Sequence, residues 1–275
     1  MEVRSHTWRL LVDGAMDGVK NMSRDEALAS CARGNAPAAL RAYSFDPPAI
    51  TIGRFQRVPS DVDLEAGAVG DVGVVRRPTG GLAILHANDF TYSVAVPASS
   101  AGVSERNTVF SMVAEAIIMA LEVLGVQAHQ VSHGNGPPAR GDWCFESVFG
   151  VDLEWRGRKI CGSAQRWWAG CILQHGSLFL EEPPDRVGSK VACMRSARSG
   201  RAPFVTVGEA AGRPVTWEQV LAAFQTGFER ALGITLRPGH LSKEEEELAG
   251  RLAAEKYGRA GWLLYPERTG HVRGL

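Results

Sequence analysis

No stretch of the 275-residue chain approaches the roughly 18–20 uninterrupted apolar residues that a bilayer-spanning helix needs. The N-terminus, Met1 to Arg9, holds Glu2, Arg4 and Arg9 and lacks the apolar core of a signal peptide. The expected location is therefore the cytosol, with no membrane partner. Net charge is also missing. Thirty Lys and Arg balance thirty Asp and Glu, which removes any whole-molecule reason to expect nucleic acid as a partner. Cysteine is sparse, and the five, Cys31, Cys144, Cys161, Cys171 and Cys193, form no C-x-x-C pair. That argues against a disulfide framework and against a zinc ribbon, so no metal is expected. No G-x-x-x-x-G-K-[ST] phosphate loop occurs, so any use of ATP would run through an unrelated site. The chain also has no internal repeat or low-complexity tract. What remains, 45% apolar and 22% charged, is ordinary globular composition, and one compact domain over 1–275 is expected.

Hydrophobic period and turn residues supply an element inventory. Trp8–Val12, Ala49–Gly53 and Phe90–Val96 are expected as strands, the last because Phe90, Tyr92, Val94 and Val96 recur at a period of two. Met16–Ala32 is expected as a helix that turns Met22, Ala27 and Leu28 to a core. Val109–Leu124 has helical spacing closed by Gly125. The segments 152–155, 159–167 and 171–180 form a predicted antiparallel meander, with Arg156-Gly157 and Ala169-Gly170 at its turns. Thr216-x-x-Gln219 and Ser242-x-x-Glu245 have the form of capping boxes, so C-terminal helices follow from about 216, the last to about Gly258. Strands, one central helix, a meander and terminal helices make an α+β fold with a mixed or antiparallel sheet.

Four segments bear on chemistry. Gly134-Asn135-Gly136-Pro137-Pro138-Ala139 loosely resembles a dinucleotide fingerprint, but its prolines fall where a helix should begin, and it is expected as a mobile loop. In the second, Arg76, Arg77, Gly80, Gly81 and His86 cluster within eleven residues. Paired glycines let a backbone approach a ligand and arginines add a fork of donors, which suits a phosphate or a polarised carbonyl; a hairpin turn with solvated arginines is the plain alternative. The third places Lys159 on a predicted strand beside Gly162, Ser163 and Ala164, with His175 and Gly176 on the next. Small residues on neighbouring strands leave a slot for a narrow apolar substrate, or simply pack tightly. In the fourth, Cys144 falls on a loop within Gly141–Ser147, whereas Cys31, Cys161, Cys171 and Cys193 fall on elements and serve as small apolar residues. Cys144 is thus the candidate nucleophile.

Read in order, these segments resemble the lipoate/octanoate transferase and ligase superfamily, which shares a biotinyl/lipoyl ligase-like, class II synthetase-like catalytic domain. The resemblance is carried by Asn21-Met22 with Asp25–Leu28, by Ile50–Gln56, by Val75–Gly81 through His86 and Thr91–Val94, and by Gly157–Gln165 with Leu173–Leu178. It implies an α+β domain with a larger mixed sheet and a smaller one, flanked by helices, around a channel for an eight-carbon acyl chain. Cys144-Phe145 sits where octanoyltransferases that use the glycine-cleavage H protein place their nucleophile. Leu82, Ala87–Asp89 and Glu146 depart from the common pattern and bear on acyl or donor preference.

The resemblance implies acyl transfer in two steps. Cys144 takes the octanoyl group from octanoyl-acyl carrier protein, and a lysine of a lipoyl-domain protein, such as the H protein, then takes it as an amide. Neither ATP nor a metal is required, and a monomer is expected. Lys159 favours the thiolate and, with backbone N–H groups of Gly80-Gly81, steadies the oxyanion. The acceptor's proton goes to His86, His175 or a water. Arg76 and Arg77 are expected to meet the carrier's phosphopantetheine arm, with Arg156, Arg158 and Arg166 on a basic rim. Three other readings remain: an ATP-dependent lipoate–protein ligase in which Cys144 is incidental, an amidotransferase from H protein to an E2 subunit, and a non-catalytic acyl-binding module.

Overall fold

The structure, a computed structural model, describes residues 7–32, 36–60, 62, 72–98, 106–132, 143–144, 151–168, 170–188 and 204–264. The expected mobile loop at Gly134–Ala139, Phe145-Glu146 and Cys193 lie outside them.

Eleven strands are seen among the described residues: β1 (Thr7–Met16), β2 (Ala39–Phe45), β3 (Ala49–Ile52), β4 (Gly73–Arg76), β5 (Ile84–His86), β6 (Asp89–Pro97), β7 (His129–Ser132), β8 (Val151–Trp155), β9 (Arg158–Trp168), β10 (Cys171–Phe179) and β11 (Thr235–Pro238). Eight of them form one sheet in the order β11-β1-β2-β6-β10-β9-β8-β7, and β4-β3-β5 form a second. The large sheet is mixed, as expected, because β1 runs parallel to both β11 and β2 while the rest of it is antiparallel. The meander β8-β9-β10 is present. Its first turn is made by Arg156 and Gly157, both with positive φ (49° and 72°), the backbone that suits the twist of a tight hairpin.

Helices cover both faces. The expected helices appear as α1 (Gly18–Ala32) and α2 (Arg106–Val123), followed by the short α3 (Asp185–Gly188) and α4 (Val207–Ala211) and then by α5 (Trp217–Leu232) and α6 (Lys243–Leu252). Both capping boxes are formed, at Thr216 with Gln219 and at Ser242 with Glu245. The last helix departs from expectation: after Leu252 the chain winds as a π-helix over Ala253–Tyr257 and then adds α7 (Ala260–Leu264). One face of the large sheet packs Phe90, Tyr92, Val94 and Val96 against α2 and α5. Gly227 lets α5 press onto α2, since a Cβ there would lie 2.4 Å from the Ala116 carbonyl. The opposite face receives α1 through Leu28, Ala29 and Ala32. The small sheet, with Ile50, Ile52 and Leu85, leans on Phe179 and Phe204.

Candidate active site

Cys144 is fixed although it lies outside the strands. Trp143 forms a lone parallel bridge with Ala83, and the Cys144 amide donates to the Ala83 carbonyl at 2.8 Å. Lys159, second residue of β9, extends its ammonium to 3.4 Å from the Cys144 sulfur and donates to the Cys144 carbonyl at 3.1 Å. The same ammonium pairs at 2.7 Å with Asp152 of β8, and both groups are buried. Burial alone would pull the amine down, but the Cys144 sulfur and the Asp152 carboxylate outweigh it and hold Lys159 above its ordinary value. It therefore stays a cation through neutral pH. Gly162 completes the corner: a Cβ there would lie 3.3 Å from the Cys144 sulfur and 3.2 Å from Lys159 Cε. Cys161, one residue away, is buried and pushed up to about 12 by that burial, so it stays a thiol.

From this corner a cavity, partly open to solvent, runs between the two sheets. Its floor is one rung of the large sheet. Gly162 of β9 pairs with Ser177 of β10, Ser177 with Thr91 of β6, and Thr91 with Tyr43 of β2, and all four line the cavity. Ala164, His175 and Gly176 add to that floor, Ile84 and His86 face it from the small sheet and Gly81 from the loop before β5, and Met22 reaches in from α1. Gly176 admits nothing larger, because a Cβ there would meet the Gly162 carbonyl at 2.6 Å and Tyr92 at 2.7 Å.

The polar side chains of this lining are bonded into the wall. Asp25 of α1, fully buried, accepts from Arg41 at 2.7 Å, Ser93 at 2.7 Å and Tyr43 at 2.8 Å, and lies 2.9 Å from His175 Nδ1. Burial opposes its charge, but His175 and Arg41 prevail and hold its carboxyl below the ordinary range. Burial pushes His175 down despite Asp25, so the ring is neutral; with Nδ1–H donating to Asp25, its Nε2 accepts from the Thr79 hydroxyl at 2.6 Å. His86 is held likewise, between Asp89 at 2.7 Å on Nδ1 and Thr51 at 3.0 Å on Nε2. Thr91 and Ser177 both donate to the same Asp89 oxygen, at 2.9 and 2.5 Å. The cavity is therefore offered mostly carbon. Of the two histidines named as candidate bases, each has both ring nitrogens engaged.

Two expectations are corrected. Arg76 is fully buried and faces away from the cavity: its fork donates to the carbonyls of Gly53 and Gln56, both at 2.6 Å, and of Leu263 at 2.6 Å. Arg77 does line the cavity, but its three nitrogens are bonded to Thr79 and to the carbonyls of Thr51, Gly80 and Leu82. Burial brings it down to about 10. Backbone carbonyls have claimed the donors expected to meet a phosphate. Gly81 lines the cavity and Gly80 does not; Gly53 lies so close to the Gly81 carbonyl that a Cβ would sit 1.8 Å from it. Of the expected rim, Arg158 is paired with Glu209 and Arg166 lies over Trp168 with a bond to the Pro78 carbonyl at 3.4 Å. Asp152, Asp25 and Tyr43 were not singled out from sequence. Asp25 stood within a motif, but nothing local marks a carboxylate whose partners lie on β2, β6 and β10.

Over residues 17–229 the chain matches the family model described as the lipoyl protein ligase A/B catalytic domain. The chain belongs to this family. It is 40% identical over 272 residues to the octanoyltransferase LipM of Symbiobacterium thermophilum, covering 94% of this chain and 98% of that one. To the LipM of Kyrpidia tusciae it is 38% identical, covering 93% and 98%, and to that of Bacillus subtilis 32%, covering 94% and 99%. Alignment with these relatives over nearly the full length makes this family member a transferase. In fold it is similar to a lipoate-protein ligase A bound with ATP, with a TM-score of 0.78 at 24% identity over 94% of this chain and 98% of the other. A bipartite lipoate protein ligase from Thermoplasma acidophilum gives 0.77 at 24% identity, over 97% and 99%. Among the described residues, no three His, Cys, Asp or Glu side chains are grouped to hold a metal ion, and no helix is long and apolar enough to cross a membrane.

Proposed function

We propose that the protein moves an octanoyl group from octanoyl-acyl carrier protein to a lysine of a lipoyl-domain protein, such as the glycine-cleavage H protein, through a thioester on Cys144 and without ATP. The observation that supports this most is the Lys159 ammonium 3.4 Å from the Cys144 sulfur, at the end of a carbon-lined cavity. In the first step the Cys144 thiolate attacks the carbonyl of the donor thioester, the oxyanion is steadied by Lys159, and the C–S bond of the donor breaks, its sulfur leaving as a thiolate that takes a proton from water. In the second, the neutral acceptor amine attacks the acyl-Cys144 thioester; the C–S bond breaks, and the proton shed by nitrogen passes to the departing Cys144 sulfur. Among the described residues, both candidate histidines are held in wall bonds, which favours this sulfur as the proton's destination. One thioester is exchanged for another and then for a more stable amide, so no nucleotide is consumed. Burial of the chain, at roughly 0.8 kcal/mol per methylene, supplies the recognition.

The test is intact-mass analysis after mixing the protein with octanoyl-acyl carrier protein and no ATP. An octanoyl adduct is expected, lost in Cys144→Ser and kept in Cys161→Ser. Modification that strictly requires ATP would overturn the reading and favour a ligase.

A further inference from the structure

Three acceptors surround the Lys159 ammonium: the Asp152 carboxylate at 2.7 Å, the Cys144 carbonyl at 3.1 Å and the Cys144 sulfur at 3.4 Å. The first two bonds fix where the nitrogen sits and how it is turned, so a remaining N–H is directed at sulfur. Remove that proton and a lone pair takes its place, aimed at the same atom. The approach is clear, because Gly162 puts no side chain between the Lys159 stem and the sulfur. Of the four cysteines described, no other shares this corner. Cys161 belongs to the cluster under α2 and α5, on the other face of the sheet, and its sulfur lies 3.7 Å from the Ser163 hydroxyl. Cys171 is buried in the cluster under α1, and Cys31 lies on α1 itself. The nucleophile beside an oxidised Cys144 is therefore an amine and not a second thiol.

We infer that Cys144 and Lys159 form a modification site, which a peroxide closes into a sulfenamide, a direct sulfur–nitrogen bond between the two side chains. The geometry carries this independently of the acyl-transfer reading. In the first step the Cys144 thiolate attacks one peroxide oxygen: an S–O bond forms, the O–O bond breaks, and the departing hydroxide takes the sulfur-facing proton of Lys159 and leaves as water. Sulfur has lost two electrons and the peroxide has gained them. Loss of the thiolate also removes one of the two negative charges that keep Lys159 protonated, so Asp152 alone then opposes the burial that pulls the amine down. In the second step the neutral amine attacks the sulfenic sulfur. The S–N bond forms, the S–O bond breaks, and the hydroxide leaves with the proton shed by nitrogen as a second water. The protein ends two hydrogens lighter, and its sulfur is kept from the irreversible sulfinic and sulfonic states. A thiol undoes the link: it attacks sulfur, the amine departs with the thiol's proton, and a second thiol displaces the first as a disulfide.

The experiment treats the full-length protein with hydrogen peroxide and reads intact mass and tryptic fragments. Wild type is expected to lose two hydrogens and to yield a fragment joining 141–156 to 159–166, since a linked Lys159 no longer offers a cleavage site. Dithiothreitol is expected to restore the original mass and fragments. Lys159→Arg keeps the positive charge but lacks the nucleophile, so its Cys144 is expected to end two oxygens heavier, a change that dithiothreitol does not reverse. Wild type that ends two oxygens heavier without the linked fragment overturns the inference, as does a Cys144 thiol that peroxide leaves unchanged, or a link from Cys144 to another cysteine. So does a folded Lys159→Arg protein protected as well as wild type; if that variant does not fold, the wild-type result decides alone. Octanoyl attachment to Cys144 in a protein that never forms the link would sink this inference and leave the acyl-transfer reading standing.

Discussion

Replacing Gly162 by alanine separates stability from chemistry at one methyl group. Gly162 lies in β9 outside the positive-φ region, so alanine fits its backbone and reduces the freedom of the unfolded chain, which favours folding by about 0.5–1 kcal/mol. The new methyl, however, would sit 3.3 Å from the Cys144 sulfur, 3.2 Å from Lys159 Cε and 3.7 Å from Nζ. One of these must yield by a few tenths of an ångström, and the ammonium–sulfur approach of 3.4 Å is the contact that opens. Misplacement of about 1 Å in a reacting pair costs about a hundredfold, so a shift of a third to a half of that predicts a loss of about fivefold to tenfold. The decisive assay pairs a melting curve with the single-turnover rate of octanoyl attachment to Cys144. The expected result is a melting temperature equal to or above wild type with acylation slowed about fivefold to tenfold. An alanine variant that acylates at the wild-type rate would refute the placement of Gly162 between sulfur and amine.

Three further outcomes follow from the described contacts. Lys159→Ala should abolish most acylation and also cost about 3 kcal/mol in urea unfolding, because Asp152 stays buried after its cation is removed; adding Asp152→Asn should restore stability without activity, and no recovery in the double variant would count against the pair. His175 is held below its ordinary 6.5, so the folded state binds its proton less readily than the unfolded chain: the stability it contributes is present above pH 6.5 and lost as pH falls through the folded value, and Asp25 adds a further loss below its ordinary 3.8. Melting temperature should therefore decline as pH falls below 6.5 in wild type and less steeply in His175→Gln; equal slopes would refute the assignment. Arg76→Ala should lower unfolding free energy by on the order of 3 kcal/mol, since the buried Gly53 carbonyl and the partly buried carbonyls of Gln56 and Leu263 lose a charged donor; a change under about 0.5 kcal/mol would show that they find other partners.

The parts of the fold legible in the sequence are those in which local chemistry and tertiary placement agree. Gly125 stops α2, the two capping boxes open α5 and α6, and Arg156-Gly157 turns the meander, because each solves a backbone problem within a few residues. β2 was not picked out, since Ala39–Phe45 is buried nearly throughout and contains Arg41, whose charge reads as surface until Asp25 and Asp13 are found beside it. The site was legible as a set of residue types at set positions, with Cys144 and Lys159 adjacent and most of the small residues lining one cavity. Its electrostatics were not. Asp152 looks like any strand acid from sequence, and the roles of Arg76 and Arg77 turn on which carbonyls the folded loop leaves unsatisfied. The rung from Gly162 to Tyr43 depends on the register of four strands spread over some 135 residues, which no short window contains.

The clasp between Arg76 and the C-terminal turn bears on when the enzyme becomes competent. Arg76 immediately precedes the stretch that forms the cavity's roof, and it is gripped by the carbonyls of Trp262 and Leu263, while the Trp262 indole returns a bond to the Arg76 carbonyl. A ribosome delivers residue 76 long before residue 263. Until that late stretch emerges from the exit tunnel, the guanidinium lacks part of its cage, and the Cys144 sulfur lies beside a loosely tethered roof. Closure of the cavity roof is thereby coupled to the folding of a segment 187 residues further along the chain.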